Sequence, residues 1–262
     1  MAYRRNDSLV DALSVDFILR GESLSTDAIG KYLSLPGLRG FWPMSSFNSS
    51  GNAFDLSGQS RTLTYNGNPT YNFAGLAPYL DFDGTGDYLS RSDESGLDII
   101  GTESYVAPAA RGLTLGGWFW LDDLLSIKAL MFKGNTTAAQ SAYEIYVATI
   151  SGNTHMRVST GATYIQAILL NGMSSTGTWY FVCGRYDPST EVKVWVNGQT
   201  TETTVSVPAS LQNSSLDFAI GATSAGLLPL NGRASFCFLC AAALSDAIIN
   251  NLFQSSRGLF GV

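Results

Sequence analysis

The sequence predicts an all-β fold: two antiparallel sheets packed as a sandwich behind a short N-terminal helical arm. Three observations lead there. Turn clusters recur along the chain, at Asn48-Ser49-Ser50-Gly51-Asn52, Asn66-Gly67-Asn68-Pro69, Ser151-Gly152-Asn153 and Asn197-Gly198. The segments between them are short and rich in Val, Ile, Tyr, Phe and Trp, which is the composition of strands. Helix-period patterning is confined to the first forty residues and a short run near Leu244. At 262 residues and 45% hydrophobic, the chain has the material for one large sandwich core.

In the arm, Leu9, Leu13 and Phe17 recur at helical spacing after an Asn6-Asp7 start signal, and Gly21 stops the helix. A second helix begins near Ser25-Thr26, carries Ile29 and Leu33, and ends before Pro36. Gly37 to Gly40 reads as a hinge, which divides the chain into an arm, 1–39, and a sandwich, 40–262. Helices this short need a surface to pack on. That surface is either the chain's own sandwich or a neighbouring subunit, gripped by Leu9, Leu13, Phe17, Ile29 and Leu33.

The sandwich opens with Phe41-Trp42-Pro43, followed by the turn Asp55-Leu56-Ser57-Gly58, whose Asp can bond backbone amides ahead of it. Leu80 to Leu89 alternates apolar and polar residues on both sides of Asp83-Gly84-Thr85-Gly86-Asp87, which reads as a strand, a tight reversal and a second strand. Residues 94–111 read as a long loop over the sandwich edge. Strands follow at Leu113-Thr114-Leu115-Gly116-Gly117-Trp118-Phe119, at Thr178-Trp179-Tyr180-Phe181-Val182, and at Glu191 to Val196 before the Asn197-Gly198 turn. Leu244-Ser245-Asp246-Ala247-Ile248-Ile249 reads as a short closing helix.

Taken in this order, these segments resemble the concanavalin A-like, laminin-G-type jelly roll from about Gly40 to Phe253. The resemblance implies a jelly-roll β-sandwich with Trp42, Phe82, Trp118, Trp179 and Trp195 in its core. It also implies a domain that mostly binds or builds, since only some branches of the superfamily are enzymes. The chain departs from the family pattern at Ser235 and Phe236, where family members commonly carry two acids, and it has Phe181 where they usually have His.

Composition narrows the partners. The net charge is −6 and no basic stripe is present, so nucleic acid is not an expected partner. Charged residues make up only 14%, against about 25% in an ordinary soluble domain. Asp7, Asp11 and Asp16 interrupt any apolar leader, so no signal peptide is seen, and no apolar run is long enough to span a bilayer. The three cysteines, Cys183, Cys237 and Cys240, are odd in number, which suits a reduced protein. The C-x-x-C spacing of the last two has no second ligand pair beside it and lies in what reads as a buried strand.

Catalytic machinery is not evident. Hydrolytic branches of the superfamily place acids on alternate residues of one strand. Asp81 and Asp83 have that spacing, but Asp83 belongs to the turn and Thr85 stands next in the series. Asp122 and Asp123 are adjacent and point apart if extended. His155, the only histidine, reads as a surface residue. Asp83 and Asp87 are the candidate metal ligands. Their stretch supplies roughly three of the six to eight oxygens that Ca²⁺ takes, and turn capping accounts for the same residues. No other cofactor is expected.

The expected function is a non-enzymatic structural or binding subunit of a larger assembly, a virion or phage decoration on a particle surface, with other subunits of the particle as partners. The alternative is a carbohydrate-binding lectin or adhesin module that binds cell-surface or extracellular glycans by stacking on Tyr65, Tyr71, Tyr79, Tyr164 or Tyr186, which lie near predicted loops. A glycoside hydrolase ranks third.

Overall fold

The computed structural model describes residues 26–45, 51–74, 77–103 and 111–262. Leu9, Leu13 and Phe17 lie outside them. Two antiparallel sheets form the expected sandwich, with eight strands each among the described residues. Sheet A has the order β14-β13-β12-β7-β16-β5-β4, and β1 also pairs with β16. These strands are β1 (Leu38–Trp42), β4 (Thr70–Ala74), β5 (Ala77–Asp83), β7 (Leu113–Leu121), β12 (Trp179–Asp187), β13 (Glu191–Val196), β14 (Gln199–Thr203) and β16 (Asn231–Cys240). Sheet B runs β11-β10-β9-β8-β15-β6-β3-β2. Its strands are β2 (Asn52–Ala53), β3 (Leu63–Asn66), β6 (Tyr88–Arg91), β8 (Lys128–Lys133), β9 (Tyr143–Val147), β10 (Thr154–Ser159), β11 (Tyr164–Leu169) and β15 (Phe218–Ile220).

Strand alternation builds two hydrophobic layers. Leu80, Phe82, Leu115, Phe119, Val182, Ile145, Val147, Met156 and Val158 face each other between the sheets. On the outer side of sheet A, Trp118, Phe181, Trp195, Phe236 and Phe238 form a second layer under two helices. These are α1 (Thr26–Leu33) and α2 (Asp246–Phe260). The Phe41-Trp42 pair divides between the layers. Phe41 stacks on Tyr32 of α1 at 4.8 Å, and Trp42 stacks on Phe218 of sheet B at 5.5 Å.

This layering settles what covers α1. Ile29 is buried and Leu33 is half-buried, both within the layer between sheet A and the helices. The expectation that Ile29 and Leu33 grip a neighbouring subunit is therefore corrected for this helix, because its apolar face is consumed by the chain's own sandwich. The closing helix is also longer than the short run read from sequence. Ser245 caps it by accepting from the Ile248 amide, and Gly261, at φ 71°, ends it.

The turn signals act as their chemistry requires. Asp55 accepts from the Phe41, Ser57 and Arg61 amides at 2.8–3.0 Å, pinning the chain after β1. Asn197 and Gly198 both have positive φ, 48° and 85°, the geometry of a type I′ turn joining β13 to β14. The Asp83–Asp87 segment, however, is not the turn of a paired hairpin. β5 lies in sheet A and β6 in sheet B, so the reversal carries the chain from one sheet to the other. The departure at Ser235-Phe236 coincides with a bulge, where the β16–β7 register shifts between Ser235 and Phe238 and Phe236 takes φ 47°. Before the bulge β16 pairs with β5, and after it with β1. Ser235 Oγ closes the seam by donating to the Pro78 carbonyl at 2.5 Å.

Candidate functional site

The helices do not cover all of sheet A. Phe260, the last residue of α2, stacks on Trp118 with centroids 4.3 Å apart and meets Trp179 edge-on at 5.0 Å. One residue pair further along the strands the cover stops. Strand register there lines up Thr70, Asp81, Arg233, Trp120 and Trp179 as direct neighbours across β4, β5, β16, β7 and β12. Thr70 is exposed, and the other four are partly exposed. Tyr79 borders the row, 5.7 Å from Trp179.

The row is a mixed aromatic and polar surface. Arg233 lies over both neighbouring rings, 4.5 Å from Trp120 and 5.0 Å from Tyr79. Its Nε is 3.6 Å from Asp81 Oδ2, an ion pair without hydrogen-bond geometry. Burial raises the Asp81 carboxyl above its ordinary range, against the pull of Arg233. The Trp120 indole donates to Asp122 at 2.9 Å, which fixes the ring. Trp120 and Trp179 meet at 65° with centroids 5.9 Å apart. Partly exposed indoles beside a carboxylate and a guanidinium bring apolar ring surface and hydrogen-bonding groups together, the combination that small-molecule sites use for orientation.

Most of the sequence candidates lie elsewhere. Asp87 is buried, and its oxygens accept the Asn68 amide at 2.7 Å and the Asp83 amide at 3.3 Å. Gly67, at φ 71°, lets that carboxylate approach, since a Cβ there would strike it. Asp83 accepts the Thr85 amide at 2.7 Å. Both acids thus serve the crossover turn, and no metal-ligating cluster forms among the described residues. Asp123 ties Lys128 and Asn231. All three cysteines are buried free thiols.

The tyrosines expected on loops sit in strands instead. Tyr186 is buried, Tyr65 and Tyr71 pack against the inner core, and only Tyr79 joins the row. His155 is not a surface residue. It is buried on the outer face of sheet B, stacked on Tyr146 at 4.4 Å. A polar recess of about 440 Å³ is lined by Thr64, Ser90, Arg91, Ser92, Asp93 and Glu94, and its charged lining is already engaged within the chain, Arg91 and Arg61 both reaching Glu94.

The model of the Laminin_G_3 family, described as the concanavalin A-like lectin/glucanases superfamily, matches residues 83–250. The chain belongs to this superfamily. Comparison with curated proteins finds no match. Solved structures with the concanavalin A-like fold include the receptor-binding domain of the botulinum neurotoxin C/D mosaic serotype, with TM-score 0.63 and 12% identity over 84% of this chain and 51% of that one. The binding domain of Paraclostridial Mosquitocidal Protein 1 gives 0.62 and 13% over 84% and 52%. A botulinum neurotoxin type C structure, described as depending on two ganglioside molecules for cell entry, gives 0.63 and 11% over 87% and 52%. This concanavalin A-like chain spans about half the length of those chains, and at such identities the likeness is one of fold.

Proposed function

We propose that this chain is a non-catalytic binding module whose ligand is a glycan, held on the Trp120–Trp179 row. The single observation that carries this is the uncovered row itself: two partly exposed indoles beside Asp81 and Arg233, next to the aromatic layer of sheet A that α1 and α2 bury. The superfamily's lectin membership and the receptor-binding neighbours support a binding module over a particle-building one. The particle-subunit reading ranks second, since Ile29 and Leu33 are taken up within the chain. The hydrolase reading ranks third. Asp81 in the row is paired to Arg233, and Asp122 beside it is bonded by the Trp120 indole, so both carboxylates already hold partners within the chain.

A glycan array probed with the wild-type chain and with Trp120→Ala tests this. Saturable binding that weakens roughly tenfold or more in the variant, about 1.4 kcal/mol, while the variant stays folded by circular dichroism, is the expected result. A blank array with folded protein removes the proposal. Incubation with laminarin or mixed-linkage glucan is expected to release no reducing ends, and turnover lost in Asp81→Asn would make the chain an enzyme.

A further inference from the structure

The outer face of sheet B carries a second constellation. Cross-strand register places Tyr146 beside His155, and Glu144, Arg157 and Gln166 in one row across β9, β10 and β11, with Tyr164 opposite Ser159 in the next. Arg157 is the centre of this grid. Its guanidinium lies 3.8 Å from the Tyr164 ring centre and 4.8 Å from that of Tyr146. Its Nε bonds Glu144 Oε1. Its Nη1 and Nη2 groups donate to no described residue and are not sealed off from solvent. Gln166 is exposed. Its Oε1 is shared by the Tyr146 hydroxyl and His155 Nδ1 at 3.4 Å, and its amide nitrogen donates to no described residue.

This is not how an ion pair is built for stability alone. Glu144 is buried, and its Oε2 has no hydrogen-bond partner among the described residues. The neighbouring Ser141 hydroxyl donates instead to the Asn135 carbonyl. A buried pair with a half-satisfied carboxylate is poor value for folding. What it does achieve is a guanidinium clamped on two faces and at Nε, with its two-nitrogen edge held ready beside a second N–H donor. That edge matches two oxygens of a planar or tetrahedral oxyanion. The clamp removes rotamer freedom before any ligand arrives.

We propose that Arg157 and Gln166 form a binding site for an oxyanion, the carboxylate or sulfate group of an acidic saccharide. The saccharide assignment rests on the reading of the chain as a glycan-binding module. The site is distinct from the Trp120 row, which lies on the other sheet, and its determinant is charge rather than stacking.

The test titrates the full chain with N-acetylneuraminic acid, glucuronic acid, a sulfated disaccharide, neutral glucose oligomers and inorganic sulfate, read by NMR shifts and by calorimetry. Because Arg157→Gln alone strands Glu144 and risks unfolding, the variants are Arg157→Gln with Glu144→Gln, and Gln166→Ala at an exposed position. The expected result is acidic-saccharide binding that falls roughly tenfold to a hundredfold in the double variant and less in Gln166→Ala, with neutral-glycan binding unchanged. Neutral binding without acidic preference, or acidic binding indifferent to both variants, overturns this inference and leaves the module reading standing. Shifts with inorganic sulfate but with no saccharide overturn the saccharide assignment. No binding of any glycan by folded protein overturns both readings.

Discussion

The indole Nε1 of Trp118 donates to the hydroxyl of Ser256 at 3.0 Å, across the buried layer between β7 and α2. Ser256 in turn donates its hydroxyl hydrogen bond to the Leu252 carbonyl at 2.6 Å. Both residues are fully buried, so no water replaces a lost partner. Ser256→Ala is expected to cost about 1–3 kcal/mol, the price of an unsatisfied buried donor. Denaturant unfolding followed by tryptophan fluorescence measures it. An unshifted midpoint would show that the layer relaxes around the indole.

Ile29 packs under α1 against the aromatic layer that includes Phe41, Phe236 and Phe238. Ile29→Ala is expected to destabilise the whole sandwich by about 2–5 kcal/mol, seen as a lower melting temperature of the isolated chain. A melt identical to wild type would return the stripe to an external partner.

Burial raises the Glu144 carboxyl to about 7, against the hydrogen bond and charge of Arg157. The folded chain therefore holds this proton more tightly than the unfolded chain, where the group titrates near 4.5. Its contribution to stability is full below about pH 4.5 and is lost as pH rises through about 7. Of the neighbouring groups only His155 acts in this window, with the opposite sign, since a folded pKa held below 6.5 adds stability as pH rises; Glu144→Gln keeps His155, so the difference between the two proteins isolates Glu144. Tyr146 and Tyr164 are pushed above their ordinary range by burial, Arg157 stays charged, and burial holds His155 below its ordinary 6.5. Unfolding free energies measured from pH 4.5 to 8 are expected to fall in wild type relative to Glu144→Gln, by on the order of 2–3 kcal/mol. Parallel curves would place the proton elsewhere.

Asp87 holds the crossover between the sheets through two backbone amides. Asp87→Ala is expected to cost about 1–3 kcal/mol. Because its oxygens already serve those amides, EDTA and millimolar calcium are expected to leave the melting temperature of wild type unchanged. A calcium-dependent rise that disappears in the variant would make the turn a metal site.

Features that depend on residues close in sequence were legible before the structure. Asp55 reaches amides two and six residues ahead, and Asn197-Gly198 carries its own turn geometry. The family resemblance placed Trp42, Phe82, Trp118, Trp179 and Trp195 inside, and all are buried except Trp179, which stays partly exposed at the end of α2. The Trp120 row was not legible, because its members come from strands separated by tens to more than a hundred residues, and only register brings Asp81, Arg233 and Trp120 together. Glu144 and Arg157 escaped notice for the same reason. They are ordinary residues of two strands until the β9–β10 ladder sets them opposite each other. His155 follows a turn, which reads as exposure, yet Tyr146 from the adjacent strand covers it. The Asp83–Asp87 reversal has the local chemistry of a hairpin, and nothing local says that its two strands will join different sheets.

The two sheets pack face to face, about 10 Å apart in sandwiches of this kind, so the Trp120 row and the Arg157 grid look in opposite directions. A short oligosaccharide engaging one cannot touch the other. If both proposed sites hold glycans, a single chain would bridge two separate glycan-bearing bodies. Such a monomer would clump coated beads or cells without any oligomerisation. On a single flat surface it would gain no avidity, because its second face always points away from that surface.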